Sequence, residues 1–263
     1  MDMGISGKTA IVCGSSRGLG RACAEALASE GVNLVVNSRN AEEIILAARE
    51  ISERYGVEAV PVAGDMADPG VPDLLAQAAL DRFGGIDILV NNAGGPPPGE
   101  FHDLTDEQWE RAFRLTLLSA VRMTRAVLPV MTERKWGRII NLTSSAVRQP
   151  IPGLLLSNSL RSSVIGMAKT LSREVASKGV LVNNIATGSF DTERLRSIFK
   201  DRAKRGGRSP EEILAVEESS IPLGRIGRPE ELAWLVVFLA SERASFITGT
   251  TVSVDGGAYS GMV

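Results

Sequence analysis

The sequence is poor in the side chains that most enzymes use for proton transfer. Its 263 residues contain one histidine, His102, and two tyrosines, Tyr55 and Tyr259. A single imidazole excludes a multi-histidine metal site within one chain, and no metal is expected. A Ser-His-Asp hydrolase would have to use His102 itself. Any phenol acting as an acid must be Tyr55 or Tyr259. The two cysteines, Cys13 and Cys23, sit in apolar stretches and are too few for a disulfide framework. Neither sign of charge is in excess. The 29 Lys and Arg against 31 Asp and Glu leave a formal net charge of −2, so neither nucleic acid nor an anionic membrane is an expected partner. Long hydrophobic runs are missing as well: the longest, residues 232–240, is too short to cross a bilayer. Residues 1–11 lack the basic-then-apolar order of a signal peptide. A reduced, soluble, cytoplasmic protein is the expectation.

What is present is an ordinary globular mix, 44% hydrophobic and 23% charged, at a length that suits one large domain or at most two small ones. Strand-like runs alternate with helix-like segments. Strands are expected at residues 8–13, 32–37, 57–62, 86–91, 138–142, 180–185 and 251–254. Helices are expected at 18–30, 41–55, 71–83, from a Thr105 or Asp106 cap to about Met131, and at 156–178. Short apolar strands separated by helices imply a parallel sheet covered on both faces, the doubly wound α/β architecture. One region, residues 187–229, fits no regular pattern. It holds the basic cluster Lys200, Arg202, Lys204, Arg205 and Arg208, and it falls where such folds place insertions near their ligands. The cluster reads either as a solvated helix pair or as a weak sign of an anionic small-molecule substrate.

The segment Cys13-Gly14-Ser15-Ser16-Arg17-Gly18-Leu19-Gly20 follows the first strand and opens a helix. Glycines at this spacing allow a tight turn and close approach of backbone to a pyrophosphate. The helix N-terminus adds N–H donors and the positive end of its dipole. A ribose-binding acid is expected where the second strand ends, but the residues there are Asn37-Ser38-Arg39-Asn40. Arg39 and Arg17 are instead placed to meet a 2′-phosphate, so NADP is preferred over NAD. Otherwise both arginines are simply solvated.

With these motifs the chain resembles the short-chain dehydrogenase/reductase family, closest to its β-ketoacyl-carrier-protein reductase-like branch. The resemblance also rests on Asp65, on Asn91-Asn92-Ala93-Gly94, and on residues 169–175, 188–192, 222–225, 248–249 and 255–257. It implies a single Rossmann domain over residues 1–263, with a seven-stranded parallel sheet, helices on both faces and a substrate lid at about 188–228. It further implies that Gly14, Ser16, Arg17, Gly18, Leu19 and Gly20 cradle NADP and that Ser38 and Arg39 flank its ribose. Asp65 and Met66 would border the adenine, and Asn92, Ala93 and Gly94 would line the cofactor. Gly188 and Thr192 would close over the nicotinamide or the phosphates.

The family performs catalysis with an Asn-Ser-Tyr-Lys set. Counting from residues 169–175, its Ser falls on Ser144, its Tyr on Ser157 and its Lys on Arg161. Counting from Trp109, its Asn falls on Thr116. There is no tyrosine between Tyr55 and Tyr259, so no shift of register restores the phenol. A serine hydroxyl is a poor acid without an activating base. Arg161 stays protonated and cannot relay protons as lysine does. It could hold ribose hydroxyls, stabilise an oxyanion, or pair with a substrate carboxylate or phosphate.

Three readings follow. In the favoured one, an NADP-dependent oxidoreductase transfers hydride to or from a small carbonyl or hydroxyl substrate, with Ser144, Ser157 and Arg161 around the oxygen and water carrying the proton. The alternatives are a nucleotide-binding protein that has lost redox catalysis, and a lyase or dehydratase that uses Arg161 on an enolate. His102, in the Pro-rich loop after the fourth strand, is a substitute acid or a solvated side chain. By resemblance the helices at 106–131 and 156–178 would pack against a second subunit. Ser162, Ser163, Gly166 and Ala168 would allow close approach and residues 254–263 would complete a homotetramer.

Overall fold

The computed structural model describes residues 2–262, without the side chains of residues 201 and 205. The chain runs β1 (Thr9–Val12), α1 (Gly18–Ser29), β2 (Asn33–Ser38), α2 (Ala41–Tyr55), β3 (Ala59–Ala63), α3 (Val71–Phe83), β4 (Ile88–Asn91) and α4 (Asp106–Phe113). It continues with α5 (Ser119–Glu133), β5 (Gly137–Leu142), α6 (Leu155–Val175), β6 (Val180–Thr187), α7 (Glu193–Gly206), α8 (Pro210–Ser220), α9 (Pro229–Ala240) and β7 (Thr251–Val254). The strands form one sheet in the order β3-β2-β1-β4-β5-β6-β7, every pair parallel. The expected seven-stranded doubly wound fold is present.

The two-residue period of each strand builds two cores. Val12, Val36, Val90 and Ile140 point to one face, where Leu27, Ile44 and Val236 from α1, α2 and α9 cover them. Their neighbours Ile11, Val35, Leu89 and Ile139 point to the other face, against Leu75, Met123 and Val127 from α3 and α5. Burial on both faces is why the strands read as continuous apolar runs. The chain reverses direction between β1 and β4, which leaves a crevice at the carboxyl ends of these strands.

Several elements differ from their sequence-based expectation. The long helix beginning at the Thr105 cap is broken by one π-helical turn, Arg114–Leu118, between α4 and α5. The run Asp106–Glu133 is long and apolar enough to cross a membrane by length and composition. In this fold Met123, Val127 and Met131 are buried against the sheet. The region 187–229 is not irregular. It contains α7 and α8, packed together, with Phe199 and Ala203 forming the buried face of α7. Helix α9 has apolar residues all round and so shows no helical period in sequence. Ala168 is fully buried in the chain's own core, so it is not a surface residue for a neighbouring helix. Ser162, Ser163 and Gly166 are exposed.

Candidate functional site

The crevice begins at the glycine turn between β1 and α1. Gly14 and Gly18 adopt φ +58° and +60°, the left-handed region that side chains disfavour. A Cβ on Gly20 would overlap the Gly14 carbonyl and approach Asn92 Nδ2 to 2.6 Å. Asn92 explains this tightness. Its amide donates to the carbonyls of Cys13 (3.2 Å) and Gly14 (3.1 Å) and so clamps the turn to the end of β4. No side chain caps α1, so its first-turn N–H groups remain for water or an anion. Leu19 packs on the core behind the turn. Ser16 donates to Glu43 at 3.2 Å.

Across the crevice, Thr192 accepts a hydrogen bond from the Leu195 N–H (3.3 Å) and starts α7. Its methyl lies 3.6 Å from where a Gly18 Cβ would be, so the head of α7 rests on the glycine turn. Arg17 reaches over to Glu193 at 3.0 Å, with both side chains exposed. Sequence reasoning missed Glu193 as a partner. Gly188 has a local packing role: a Cβ there would lie 2.6 Å from the Asp255 Cα, and its N–H donates to the Val254 carbonyl. A Cβ on Gly94 would meet nothing.

At the end of β2, Ser38 donates to the Asn40 carbonyl at 2.9 Å, and Arg39 is exposed. Asp65 follows β3. Burial alone would raise its pKa, but the Ala67 N–H, Arg111 and the nearby Arg39 charge hold it below the usual carboxylate range. Arg111, on α4, pairs directly with this carboxylate, and nothing in the sequence pointed to it. Met66 is buried next to Asp65.

The far end of the crevice is a cavity of about 20 Å³ with a mixed lining that includes Cys13, Asn92, Ala93, Thr116, Thr143 and Arg161. That volume accommodates one water molecule. Thr116 lies in the π-helical turn, and its buried Oγ1 has no hydrogen-bond partner among the described residues. Such turns recur at functional sites because they redirect side chains out of the helical register. Arg161 Nη1 donates to the Leu142 carbonyl at 2.9 Å, at the end of β5. Desolvation of its guanidinium, and then the Arg194 charge, push its pKa down to about 10. Arg194 Nη2 donates to the Pro96 carbonyl at 2.9 Å.

Thr116 and Arg161 line the same cavity. Ser144 and Ser157 do not join them in lining the cavity. The Ser144 hydroxyl accepts from the Ala146 N–H at 3.2 Å and starts a short 3-10 turn. Ser157 is buried in the first turn of α6. The half-buried Ser144 hydroxyl accepts that one local N–H and keeps its own O–H for another partner. His102 is exposed, edge-on to Phe101, and its own loop holds it there. Cys13 is buried, and desolvation raises its thiol to about 12, which leaves it unreactive. Asn91 and Asn141, which also line the cavity, occupy matching registers of β4, β5 and β6 together with Asn184. Their buried amides are joined in a ladder by two 2.9 Å hydrogen bonds. One asparagine near the end of each of three successive central strands was the available signal for this ladder.

Comparison with known proteins agrees with this geometry. A family model described as enoyl-(acyl carrier protein) reductase matches residues 14–259. The chain is 34% identical over 259 residues to a 3-oxoacyl-(acyl-carrier-protein) reductase of Aquifex aeolicus, covering 98% of this chain and all of that one. It is 36% identical over 257 residues to the Escherichia coli protein of the same name, covering 98% and 99%. The crystal structure of L-sorbose reductase from Gluconobacter frateurii, complexed with NADPH and L-sorbose, superposes with a TM-score of 0.95 at 36% identity over the full length of both chains.

Proposed function

Since the chain belongs to the short-chain dehydrogenase/reductase family, we propose that it is an NADP(H)-dependent oxidoreductase of a small carbonyl or hydroxyl compound with an altered proton path. The observation that carries this is the cavity at the crevice end, lined by both Thr116, with its unpartnered hydroxyl, and Arg161, with its desolvated guanidinium. The rest of the crevice suits a phosphorylated dinucleotide. The uncapped α1 terminus suits a pyrophosphate, and Arg17 and Arg39 suit a 2′-phosphate. The bound nicotinamide would supply or accept the hydride.

The chain's own residues then have three tasks. Arg161 stabilises the negative charge that develops on the substrate oxygen, through charge-assisted N–H donors. Thr116 orients one water in a space of that size, and this water gives or takes the proton. Residues 188–228 exclude bulk solvent as a lid. The exposed Ser162, Ser163 and Gly166 face of α6 meets a second copy in a homotetramer, and the protein works in the cytoplasm. Light scattering that returned a monomeric mass at micromolar concentration would overturn the assembly.

Oxidation of NADPH, followed at the nicotinamide absorbance band across a panel of carbonyl compounds, tests the redox assignment. Turnover is expected, with a rate that stays flat across pH 5–8, because neither Arg161 nor water titrates there and His102 is not the acid. Confirmed NADPH binding with no turnover anywhere in the panel would instead favour a binding protein that has lost catalysis. That second reading draws on Ser144 and Ser157, neither of which lines the Thr116 cavity. Titrating NADPH fluorescence with Arg161→Ala shows whether Arg161 also holds the cofactor.

A further inference from the structure

Four arginines around the crevice are neutralised by neighbouring acids: Arg17 by Glu193, Arg111 by Asp65, Arg196 by Asp191 and Arg202 by Glu217. Two others are not. Among the described residues neither Arg161 nor Arg194 has a carboxylate within 4.0 Å, and each donates only to one backbone carbonyl. A guanidinium carries five N–H donors, so most donors of both forks are unused by the protein. The two belong to different elements, α6 and α7. Their heads are anchored on segments that follow β5 and β4, the Leu142 carbonyl and the Pro96 carbonyl. These are the carboxyl ends at which ligands of doubly wound folds bind. The Arg194 head also lies 3.3 Å from where a Gly95 Cβ would project, so the glycine leaves it room over the loop.

Two like charges held near each other, one of them desolvated, are unfavourable alone and become favourable around an anion. The basic cluster further along α7 is a poorer candidate. Arg202 is already paired, and Lys200, Lys204 and Arg208 are exposed, while the Arg205 side chain is outside the described residues.

We propose that Arg161 and Arg194 together bind the carboxylate of an oxo-acid substrate, fixing its neighbouring carbonyl beside the Thr116 cavity. This rests on the redox assignment for the identity of the reacting group, but not for the anion site itself. Hydride would add to the carbonyl carbon as the C=O π pair moves to oxygen, and water would protonate that oxygen. The carboxylate stays intact and anchored by the guanidinium pair. Planar forks match carboxylate geometry in a bidentate manner, which a neutral ester does not offer.

The test titrates the whole chain, with and without saturating NADPH, against acetoacetate, 2-oxobutanoate, their methyl esters and dihydroxyacetone phosphate, by calorimetry. At least one acid is expected to bind ten-fold or more tightly than its ester. Arg194→Gln should remove that preference while the NADPH dissociation constant stays within two-fold, and Arg194→Lys should restore part of it. Esters binding as tightly as acids would overturn the proposal, as would failure of both acids to bind or a preference that survives Arg194→Gln. Binding of the phosphate alone would overturn the carboxylate assignment. A ten-fold loss of NADPH affinity in Arg194→Gln, with acid binding intact, would reassign Arg194 to the cofactor. Acids that bind but are not turned over refute the redox assignment and leave the anion site standing. Esters turned over as well as acids do the reverse.

Discussion

The two ends of one crevice are built on opposite principles. At the glycine turn the side chains are paired and only the first-turn N–H groups of α1 stay open: Asn92 grips two carbonyls, Ser15 donates to Val12, and Arg17 is paired with Glu193. At the β5–α6 end the polar groups are left over. Thr116 Oγ1 is buried without a partner, and Arg161 is desolvated without a counter-ion. A satisfied network rigidifies a fold, whereas a buried unsatisfied group is an expense that persists only where something else uses it. The first end is a mould shaped by backbone. The second is a pocket whose polar side chains keep unused donors and acceptors.

The largest test of this contrast strikes the scaffold that both ends share. In Asn141→Leu the amides of Asn91 and Asn184 each lose a partner. Asn184 Oδ1 loses its donor while Asn91 Nδ2 keeps only the longer 3.4 Å bond to Thr124, so the cost should be about 3 kcal/mol, seen as a lower urea midpoint at unchanged slope. A loss within 1 kcal/mol would mean that the ladder is not a structural spine. Gly20→Ala breaks the mould itself. Its Cβ meets the Gly14 carbonyl and Asn92, and NADPH affinity should fall about 100-fold, in line with an overpacking cost of about 1–3 kcal/mol.

Arg161→Met should have the opposite sign. Removing a desolvated charge that lacks a counter-ion is expected to stabilise the free protein by about 1 kcal/mol, even as turnover is lost. The pH dependence follows from the direction of its shift. The native state releases the Arg161 proton near pH 10, before the unfolded chain does, so the unfolded state binds more protons above that pH and wild-type stability rises there. The advantage of Arg161→Met is therefore full at neutral pH and narrows above about pH 10. Thermal melts at pH 7 and pH 10.5 check both statements, and a variant that melts lower at pH 7 would show that the guanidinium is structural. The smallest effect belongs to the exposed pair between the two walls. Glu193→Gln should change stability by less than about 0.5 kcal/mol and, by releasing Arg17, tighten NADPH about two-fold relative to NADH.

Much of the fold was legible because burial on both sheet faces leaves a simple trace. Residues 9–12, 88–91 and 180–185 are apolar runs bounded by turns, and their strand assignments follow directly. Helix α9 was not legible for the same reason inverted: apolar residues on every side erase the period. The π-helical turn at Thr116 was invisible because its sequence, Arg114 to Leu118, is ordinary helix-forming material. The glycine turn and Asn92 were legible as motif residues, since few other residue types satisfy a left-handed φ or a two-carbonyl clamp. Arg111, Glu193 and Arg194 were not, because a charged residue on a surface helix looks the same whether solvated or aimed at a partner.

Composition and order alone settled that no phenol lies between Tyr55 and Tyr259 in the chain. They also settled the alternation of strand and helix, because two-sided burial writes itself into local pattern. Only the tertiary structure decided which of the substituted residues belong together. Thr116, in a distortion of helical register, lines the same cavity as Arg161, Ser144 starts its own turn, and Arg194 arrives from a helix far along the chain. Pattern is a local property of the chain, whereas an unmatched charge or hydroxyl is defined only by everything folded around it.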